Sequence, residues 1–184
     1  MSRYLDLIKE RPLVLDGAMG TMLYQQGVFV NACYEELSIT RPALVSAIHA
    51  EYADAGADVL LTNTFGANRI KLGEFGLAGD AVRINSAAVE IARKAAGESV
   101  LVAGDVGPCE ARGNAMSDPH AVEAAFAEQM SALASAGADL IFLETFSNPE
   151  ELKIAARCAA STGIPVHASV AVDEDGVSAQ IKLF

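Results

Sequence analysis

The chain has 184 residues, of which 52% are hydrophobic and 20% are charged, and its formal net charge at pH 7 is −11. This length suffices for one domain with a sizeable core, and this composition excludes a disordered chain. No apolar run reaches the roughly 18 residues of a membrane span. The negative charge excludes nucleic acid and anionic membranes as expected partners. We expect a cytoplasmic location, because the N-terminus lacks the apolar stretch and cleavage site of a signal peptide.

Short apolar strands alternate with longer helices along the chain. The predicted strands cover residues 13–15, 57–62, 100–103, 139–143 and 164–172. The predicted helices cover residues 2–10, 22–26, 40–56, a short piece between 71 and 76, 81–96, 119–135 and 148–161. Loops are expected at 31–38 and before Asp118, and Thr40, Asp118 and Asn148 are the expected helix caps. In the helix at 81–96, Val82, Asn85, Val89 and Ala92 are expected to share one buried side.

The strict alternation predicts a parallel sheet covered by helices. Two segments also echo each other: GADVLLTNTF begins at Gly56 and GADLIFLETF begins at Gly137. Such repetition indicates units related by rotation about a barrel axis. We therefore predict an α/β fold of the (β/α)8 TIM-barrel family, with about the first five βα units in this chain. A doubly wound open sheet is the alternative, although the turn from Gly17 to Gly20 does not match its GxGxxG fingerprint.

Polar residues follow the predicted strands, most clearly where residues 13–15 run into Asp16, Gly17 and the glycine-rich turn that follows. Because the carboxyl ends of parallel strands meet on one face, Asp16, the segment 62–64, Asp105 and Glu144 are expected to share a rim. Two acids there can take a ligand ammonium group, and unpaired turn amides can take a carboxylate. This pattern indicates amino acid recognition, whereas Asp16 or Asp105 taken alone also fits an ordinary turn.

The cysteines give no sign of a disulfide framework or a metal site. Cys33, Cys109 and Cys158 are far apart, odd in number and without CxxC spacing, so we predict that they are reduced thiols. No second cysteine or histidine is spaced to help Cys109 bind a metal. Packing or surface roles are expected for the three histidines, His49, His120 and His167.

The ordered set of motifs resembles the homocysteine S-methyltransferase family. The resemblance spans about residues 5–178 and includes the Asp16–Thr21 turn, the Cys33–Leu37 segment, the stretch from Gly56 to Lys71, Gly104 to Pro108, and Glu144-Thr145-Phe146. Within the family it is greatest for the homocysteine-binding domains of cobalamin-dependent methionine synthases and of bifunctional homocysteine methyltransferase/methylenetetrahydrofolate reductases.

The resemblance implies a barrel in which zinc activates the homocysteine thiol as a nucleophile towards a methyl donor. The donor is expected to be methylcobalamin or a methyltetrahydrofolate-derived group, brought as a small molecule or by a donor-carrying domain. Asp16 and Glu144 are expected to hold the homocysteine ammonium group. Gly17 and Thr62 are expected to help seat its carboxylate. The other residues of the expected binding set are Asn63 and Thr64, with Asp105 and Phe65 as further candidates.

The sequence departs from the family in its metal ligands. The family's zinc cysteines lie at the ends of the sixth and eighth strands, the latter in a Gly-Gly-Cys-Cys-Gly turn, and neither motif occurs here. We therefore expect one domain, residues 1–184, that carries the N-terminal, amino-acid-binding portion of the barrel without a zinc site. Its open strand edges favour self-association. A non-catalytic truncated or assembly-forming homologue is the main alternative, and a barrel acting on another amino acid or a sugar is the third.

Overall fold

The computed structural model describes residues 2–109 and 118–172. The strands are β1 (Val59–Leu61), β2 (Leu101–Val106), β3 (Leu140–Phe146) and β4 (Val166–Val170). The helices are α1 (Arg3–Glu10), α2 (Met19–Gln25), α3 (Leu37–Thr40), α4 (Pro42–Asp54), α5 (Arg69–Gly73), α6 (Ala81–Ala96), α7 (Pro119–Ser135) and α8 (Pro149–Ser161), with a 3-10 turn at Ala78–Asp80. The loop predicted before Asp118 and the end of the predicted domain fall partly outside the described residues. Within those ranges, no helix has the length and apolar character needed to cross a bilayer.

The four strands form one parallel sheet in the order β1-β2-β3-β4. Each strand therefore pairs with the strand that precedes it in the chain, and helices lie between consecutive strands. Sequential order is that of a barrel wall, whereas a doubly wound sheet reverses its strand order near the middle. The alternative of a doubly wound sheet is therefore wrong for the described residues.

Strands β1, β2 and β3 are largely buried on both faces, which explains why they are continuous apolar runs rather than alternating ones. On one face the strand residues pack with Tyr4 of α1; they include Val59, Leu101, Ala103, Leu140 and Phe142. On the other face Leu60, Val102 and Ile141 pack against the covering helices. The sheet thus has a helix-covered outside and an inside partly filled by the N-terminal helix.

The predicted first strand, residues 13–15, is not a regular strand. A single parallel bridge joins Leu15 to Val59. Side chains replace part of its ladder, because the amide of Val14 donates to Asp58 Oδ2 at 2.9 Å and the amide of Leu61 donates to Asp16 Oδ2 at 3.0 Å. The segment still runs beside β1 and delivers Asp16 to the expected rim.

The internal echo in the sequence corresponds to a repeated contact. Asp58 accepts the amide of Val14 through Oδ2, and Asp139 Oδ2 accepts the amide of Val102 at 2.7 Å. Each aspartate also pairs with an arginine, Asp58 with Arg11 and Asp139 with Arg93. In both repeats an aspartate just before a strand ties that strand to the preceding one.

Strands β2 and β3 each continue three residues beyond the predicted ends, so Asp105 and Glu144 lie inside strands rather than after them. Side-chain hydroxyl groups just after β1 continue its pairing with β2: Thr62 Oγ1 accepts the amide of Asp105, and Thr64 Oγ1 donates to the carbonyl of Asp105. Strands β1 and β4, in contrast, are shorter than predicted.

Two helix predictions are wrong in detail. Thr40 is the last residue of α3 and donates its hydroxyl to the carbonyl of Glu36, so it does not cap α4. Val82 is 51% exposed, because the buried side of α6 is centred on residues such as Ile84 and Ala88. The caps at Asp118 and Asn148 are confirmed: each side chain accepts two backbone amides at the start of its helix.

The repeated turn gives a prediction about stability. Gly137 has φ 97°, and a Cβ atom added there would meet no heavy atom within 4 Å. We expect Gly137→Ala to lower the free energy of unfolding by about 1–2 kcal/mol, from backbone strain alone. Gly79, in equally open surroundings but without a positive φ, is the matched control. Urea unfolding should separate the two variants, and equal costs would show that the turn is not strained.

Candidate functional site

A cleft of about 830 Å³ opens where the strand ends meet. All the site residues predicted from the sequence line it, namely Asp16, Gly17, Thr62, Asn63, Thr64, Phe65, Asp105 and Glu144. The other lining residues are Leu15, Ala18, Met19, Gly20, Thr21, Tyr24, Val30, Tyr34, Glu35, Leu61 and Phe142. Four of these lining side chains carry carboxyl groups and none is Lys, Arg or His. The cleft wall is therefore acidic and suits a cation.

Asp16 is held at the rim by two backbone hydrogen bonds. Its Oδ2 atom accepts the amide of Leu61 at 3.0 Å, and its own amide donates to the carbonyl of Val59 at 3.0 Å. Burial raises the pKa of Asp16 to about 7, assisted by the negative charge of Glu144 and opposed by these amides. A large share of this side chain is therefore protonated near neutral pH when no cation is present.

The turn after Asp16 presents backbone amides to the cleft. The amides of Gly17 and Ala18 donate to no acceptor among the described residues. Tyr52 supports the turn from behind, with its hydroxyl donating to the carbonyl of Ala18 at 3.3 Å. A Cβ atom at position 17 would lie 2.7 Å from the Tyr52 hydroxyl oxygen, so this close approach requires glycine. The arrangement leaves two donors for an anionic group.

A buried hydroxyl network joins the end of β1 to β2. The Oγ1 atoms of Thr62 and Thr64 lie 2.6 Å apart. Thr64 gives its single hydroxyl hydrogen to the carbonyl of Asp105 at 2.7 Å, so Thr62 is the donor in the Thr–Thr bond. Thr62 Oγ1 also accepts the amide of Asp105 at 3.0 Å, and Gln129 Nε2 donates to the carbonyl of Thr64 at 2.7 Å. Both hydroxyl groups are thus engaged within the protein.

The acids of β2 and β3 face each other in the cleft. Asp105 lies opposite Phe142 in the β2–β3 register and Glu144 follows two residues further along β3, so both side chains line the same part of the sheet end, where Asp105 is 5% exposed. Burial raises the pKa of Asp105 well above its ordinary value, and the charge of Glu144 raises it further. Burial also raises the pKa of Glu144, although the hydrogen bond from Asp105 opposes that shift.

The backbone is strained at Thr145, the residue after Glu144. The pairing of β3 with β4 is irregular between Leu143 and Phe146, and Thr145 in this bulge has φ 63°. A β-branched residue in that conformation costs on the order of 1–3 kcal/mol. Bulges re-aim side chains at the rims of barrels, and here the irregularity lies at the acid that enters the cleft.

Sequence reasoning missed the loop that closes another side of the cleft. Asn63 Nδ2 donates to the carbonyl of Tyr34 at 2.6 Å, and Glu35 Oε1 accepts the amide of Gly66 at 2.8 Å. Glu35 Oε2 also accepts the thiol of Cys33 at 3.5 Å. Glu35 is therefore occupied in joining two loops. In the sequence, Glu35 is marked only by its position in the Cys33–Leu37 segment that resembles the family, and that position by itself assigns no role.

The described residues do not fit the zinc that the resemblance implies. Among them, no group of three or more His, Cys, Asp and Glu side chains is placed to hold a metal ion. No cysteine lines the cleft, and no disulfide joins the three that the chain contains. Cys158 lies against the carbonyl of Glu123 and Cys109 is buried in the helix-covered core.

The histidines are also away from the cleft lining. His49 is fully buried within α4, and this burial lowers its pKa to about 4. His167 stacks on Phe142 with ring centroids 4.6 Å apart and shares a hydrogen bond with the Tyr4 hydroxyl. His120 lies exposed in the first turn of α7. These positions agree with the packing and surface roles expected from the sequence.

The pKa of Asp16 gives a prediction about pH. Its value in the folded chain, about 7, lies above the ordinary 3.8, so the protonated form contributes stability at low pH that is lost as pH rises through 7. We expect Asp16→Asn to gain about 2 kcal/mol relative to the parent chain between pH 5 and pH 8. Urea unfolding at both pH values measures this difference. A pH-independent effect of Asp16→Asn would contradict the shift.

Known proteins are similar to this chain in sequence and in fold. Residues 13–181 match the homocysteine S-methyltransferase family. The methionine synthase of Mycobacterium tuberculosis is 34% identical over 191 residues, and that of Mycobacterium leprae is 31% identical. Each match covers 94% of this chain and 16% of the relative, so the chain spans about a sixth of the length of these enzymes.

The solved structures that are similar include the homocysteine methyltransferase MmuM of Escherichia coli. Its metallated form superposes with a TM-score of 0.82 at 27% identity, covering 95% of this chain and 68% of that one. The apo form gives a TM-score of 0.72 at 26% identity. The expected TIM-barrel family fold is thus confirmed as a partial barrel. With the family match over residues 13–181, this likeness establishes that the chain belongs to the homocysteine S-methyltransferase family.

Proposed function

We propose that this chain forms the homocysteine-binding part of a methyltransferase that makes methionine. The observation that supports this most directly is the acidic cleft, into which four carboxyl groups and no Lys, Arg or His project from the lining residues. Homocysteine carries an ammonium group, a carboxylate and a thiol. An acidic wall beside unpaired amides matches the first two of these groups.

In this proposal the ammonium group lies between Asp16 and Glu144, the acids at the first rim segment and at β3. Its carboxylate accepts hydrogen bonds from the amides of Gly17 and Ala18, which have no acceptor among the described residues. The hydroxyl of Thr62 is already engaged by Thr64 and by Asp105, so its contribution is to fix the strand ends. Asn63 likewise fixes the neighbouring loop through the carbonyl of Tyr34.

The thiol end would point to the apolar side of the cleft. Phe65 and Val30 are among the lining residues and are 39% and 77% exposed, so the cleft presents apolar surface that is open to an incoming donor. A methyl group carried by methylcobalamin or derived from methyltetrahydrofolate could reach the thiol there. When bound, zinc would lower the thiol pKa and supply a thiolate near neutral pH. The zinc ligands must then come from outside the described residues.

A cytoplasmic location stays a prediction from the N-terminal sequence.

A second candidate is a non-catalytic homologue that binds the amino acid or assembles with another chain. Two observations favour it: the described residues include no group fit for zinc, and the first three residues of β4, Val166, His167 and Ala168, are exposed. Exposed strand edges pair readily with other chains. Metal content and turnover separate this candidate from the first.

Substitution of Glu144 tests the binding role. We expect Glu144→Gln to weaken binding of L-homocysteine by about 1.5–3 kcal/mol, roughly 10- to 150-fold, because a hydrogen bond to a charged group is lost. Titration calorimetry of L-homocysteine into the chain measures the change. Glu150→Gln on α8 is the matched control, because its side chain is exposed and pairs with Lys153 outside the cleft lining.

The ligand offers an independent control. The analogue 4-mercaptobutyrate keeps the carboxylate and the thiol but lacks the ammonium group, so it should bind weakly to the parent chain and show no further loss in Glu144→Gln. Equal affinity of the parent chain for both ligands would remove the acids from the recognition of homocysteine.

Metal content tests the catalytic part. We expect the purified chain to hold no stoichiometric zinc and to transfer no methyl group to homocysteine, because a zinc site needs three or four well-placed ligands. Elemental analysis beside a methyl-transfer assay measures both. One zinc per chain, or turnover that a chelator abolishes, would show that residues outside the described set complete the site and that the chain is catalytic by itself.

A further inference from the structure

Two of the four carboxyl groups in the cleft already have protein partners. Asp16 accepts the amide of Leu61, and Glu35 accepts the amide of Gly66 and the thiol of Cys33. The remaining acids belong to adjacent strands, Asp105 to β2 and Glu144 to β3. No Lys, Arg or His lies among the lining residues to neutralise them.

Asp105 is the most enclosed of these acids. Its side chain is 5% exposed, and its Oδ1 atom receives no N–H or hydroxyl donor from the described residues. The acid that approaches it from the neighbouring strand is Glu144, which lines the same cleft. A carboxyl oxygen buried without a donor is costly as an anion, because neither water nor protein replaces its hydration.

The two carboxyl groups cannot easily separate. The amide and the carbonyl of Asp105 are both bonded to the threonine hydroxyl groups of the network, which fixes its backbone. Glu144 lies in the irregular stretch of β3 between Leu143 and Phe146, next to Thr145. A hydrogen bond between two carboxyl groups needs a proton, and two adjacent carboxylates repel each other strongly.

We propose that Asp105 and Glu144 share one proton when the cleft is empty and that the ammonium group of a bound amino acid displaces this proton to solvent. The ammonium group, which the proposed function places at Asp16 and Glu144, keeps its own three protons and becomes the positive charge of the acid cluster in place of the displaced proton. Binding is then coupled to proton release, and affinity for an ammonium ligand rises with pH. The shared proton concerns the protein alone, whereas its displacement by an amino acid rests on the proposed function.

The groups around Asp105 and Glu144 also favour a bound proton. Burial and the charges of Glu144, Asp16 and Glu35 all raise the pKa of Asp105. Other titratable groups that face the cleft are the hydroxyl groups of Tyr24 and Tyr34, with that of Tyr52 behind the turn. None of these described groups is a cation near neutral pH, so none can take the place of the proton.

Carbon-13 NMR of the side-chain carboxyl groups tests the shared proton without any ligand. The Asp105 resonance, identified by its loss in Asp105→Asn, should titrate well above the exposed aspartic acids, whose pKa values in peptides are about 3.9. In Glu144→Gln the same resonance should titrate at lower pH, because an amide N–H then stabilises the carboxylate. A purely structural role for Glu144 would leave it unmoved. Titration of Asp105 together with the exposed aspartic acids would overturn the proposal.

Calorimetry at pH 7 in two buffers of different ionisation enthalpy tests the displacement. L-homocysteine should release clearly more protons per bound ligand from the parent chain than from Asp105→Asn, because Asp16, whose pKa is about 7, contributes to the release in both chains. Equal proton release from the two chains would overturn the displacement. An absence of binding would refute the proposed function, and the ligand-free NMR titration would still decide whether the proton is shared.

Discussion

The site depends on the buried hydrogen bonds that connect Thr62, Thr64 and Asp105. They connect the end of β1 to the end of β2, because the two hydroxyl groups satisfy the backbone of Asp105 where the ladder between the strands has ended. Buried networks of this kind stabilise a fold only when every member is satisfied, and their low dielectric surroundings also strengthen nearby charges. The same contacts that fix the strand ends therefore keep a carboxyl group buried in the cleft.

Parallel pairing in sequential order explains how distant acids come together. Asp16, Asp105 and Glu144 lie far apart in the chain, yet each belongs to a neighbouring segment of one sheet and faces the same rim. A folded protein keeps such acids together only at a cost in stability, which a bound cation offsets. The strain at Thr145 adds to this cost. The energetic penalty of the empty site and its suitability for an ammonium ligand have the same origin.

The alternation of strands and helices and the internal echo predicted the parallel barrel-type sheet, and the polar residues at the carboxyl end of each strand predicted the shared rim. The local pattern failed where tertiary contacts override it. Residues 13–15 look like a strand, but carboxylates of Asp16 and Asp58 take the amides that a ladder would use. Glu35 was missed because its role arises from Gly66, a partner 31 residues away. The bulge at Thr145 depends on β4 and leaves no local signal in the sequence.

The central claim is that the acidic strand ends recognise the amino acid portion of homocysteine. A crystal structure of the chain with bound L-homocysteine tests it most directly. We expect the ammonium nitrogen within hydrogen-bonding distance of Asp16 and Glu144, and the carboxylate at the amides of Gly17 and Ala18. A ligand whose ammonium group lies away from both acids, or a cleft that stays empty at saturating homocysteine, would contradict the claim.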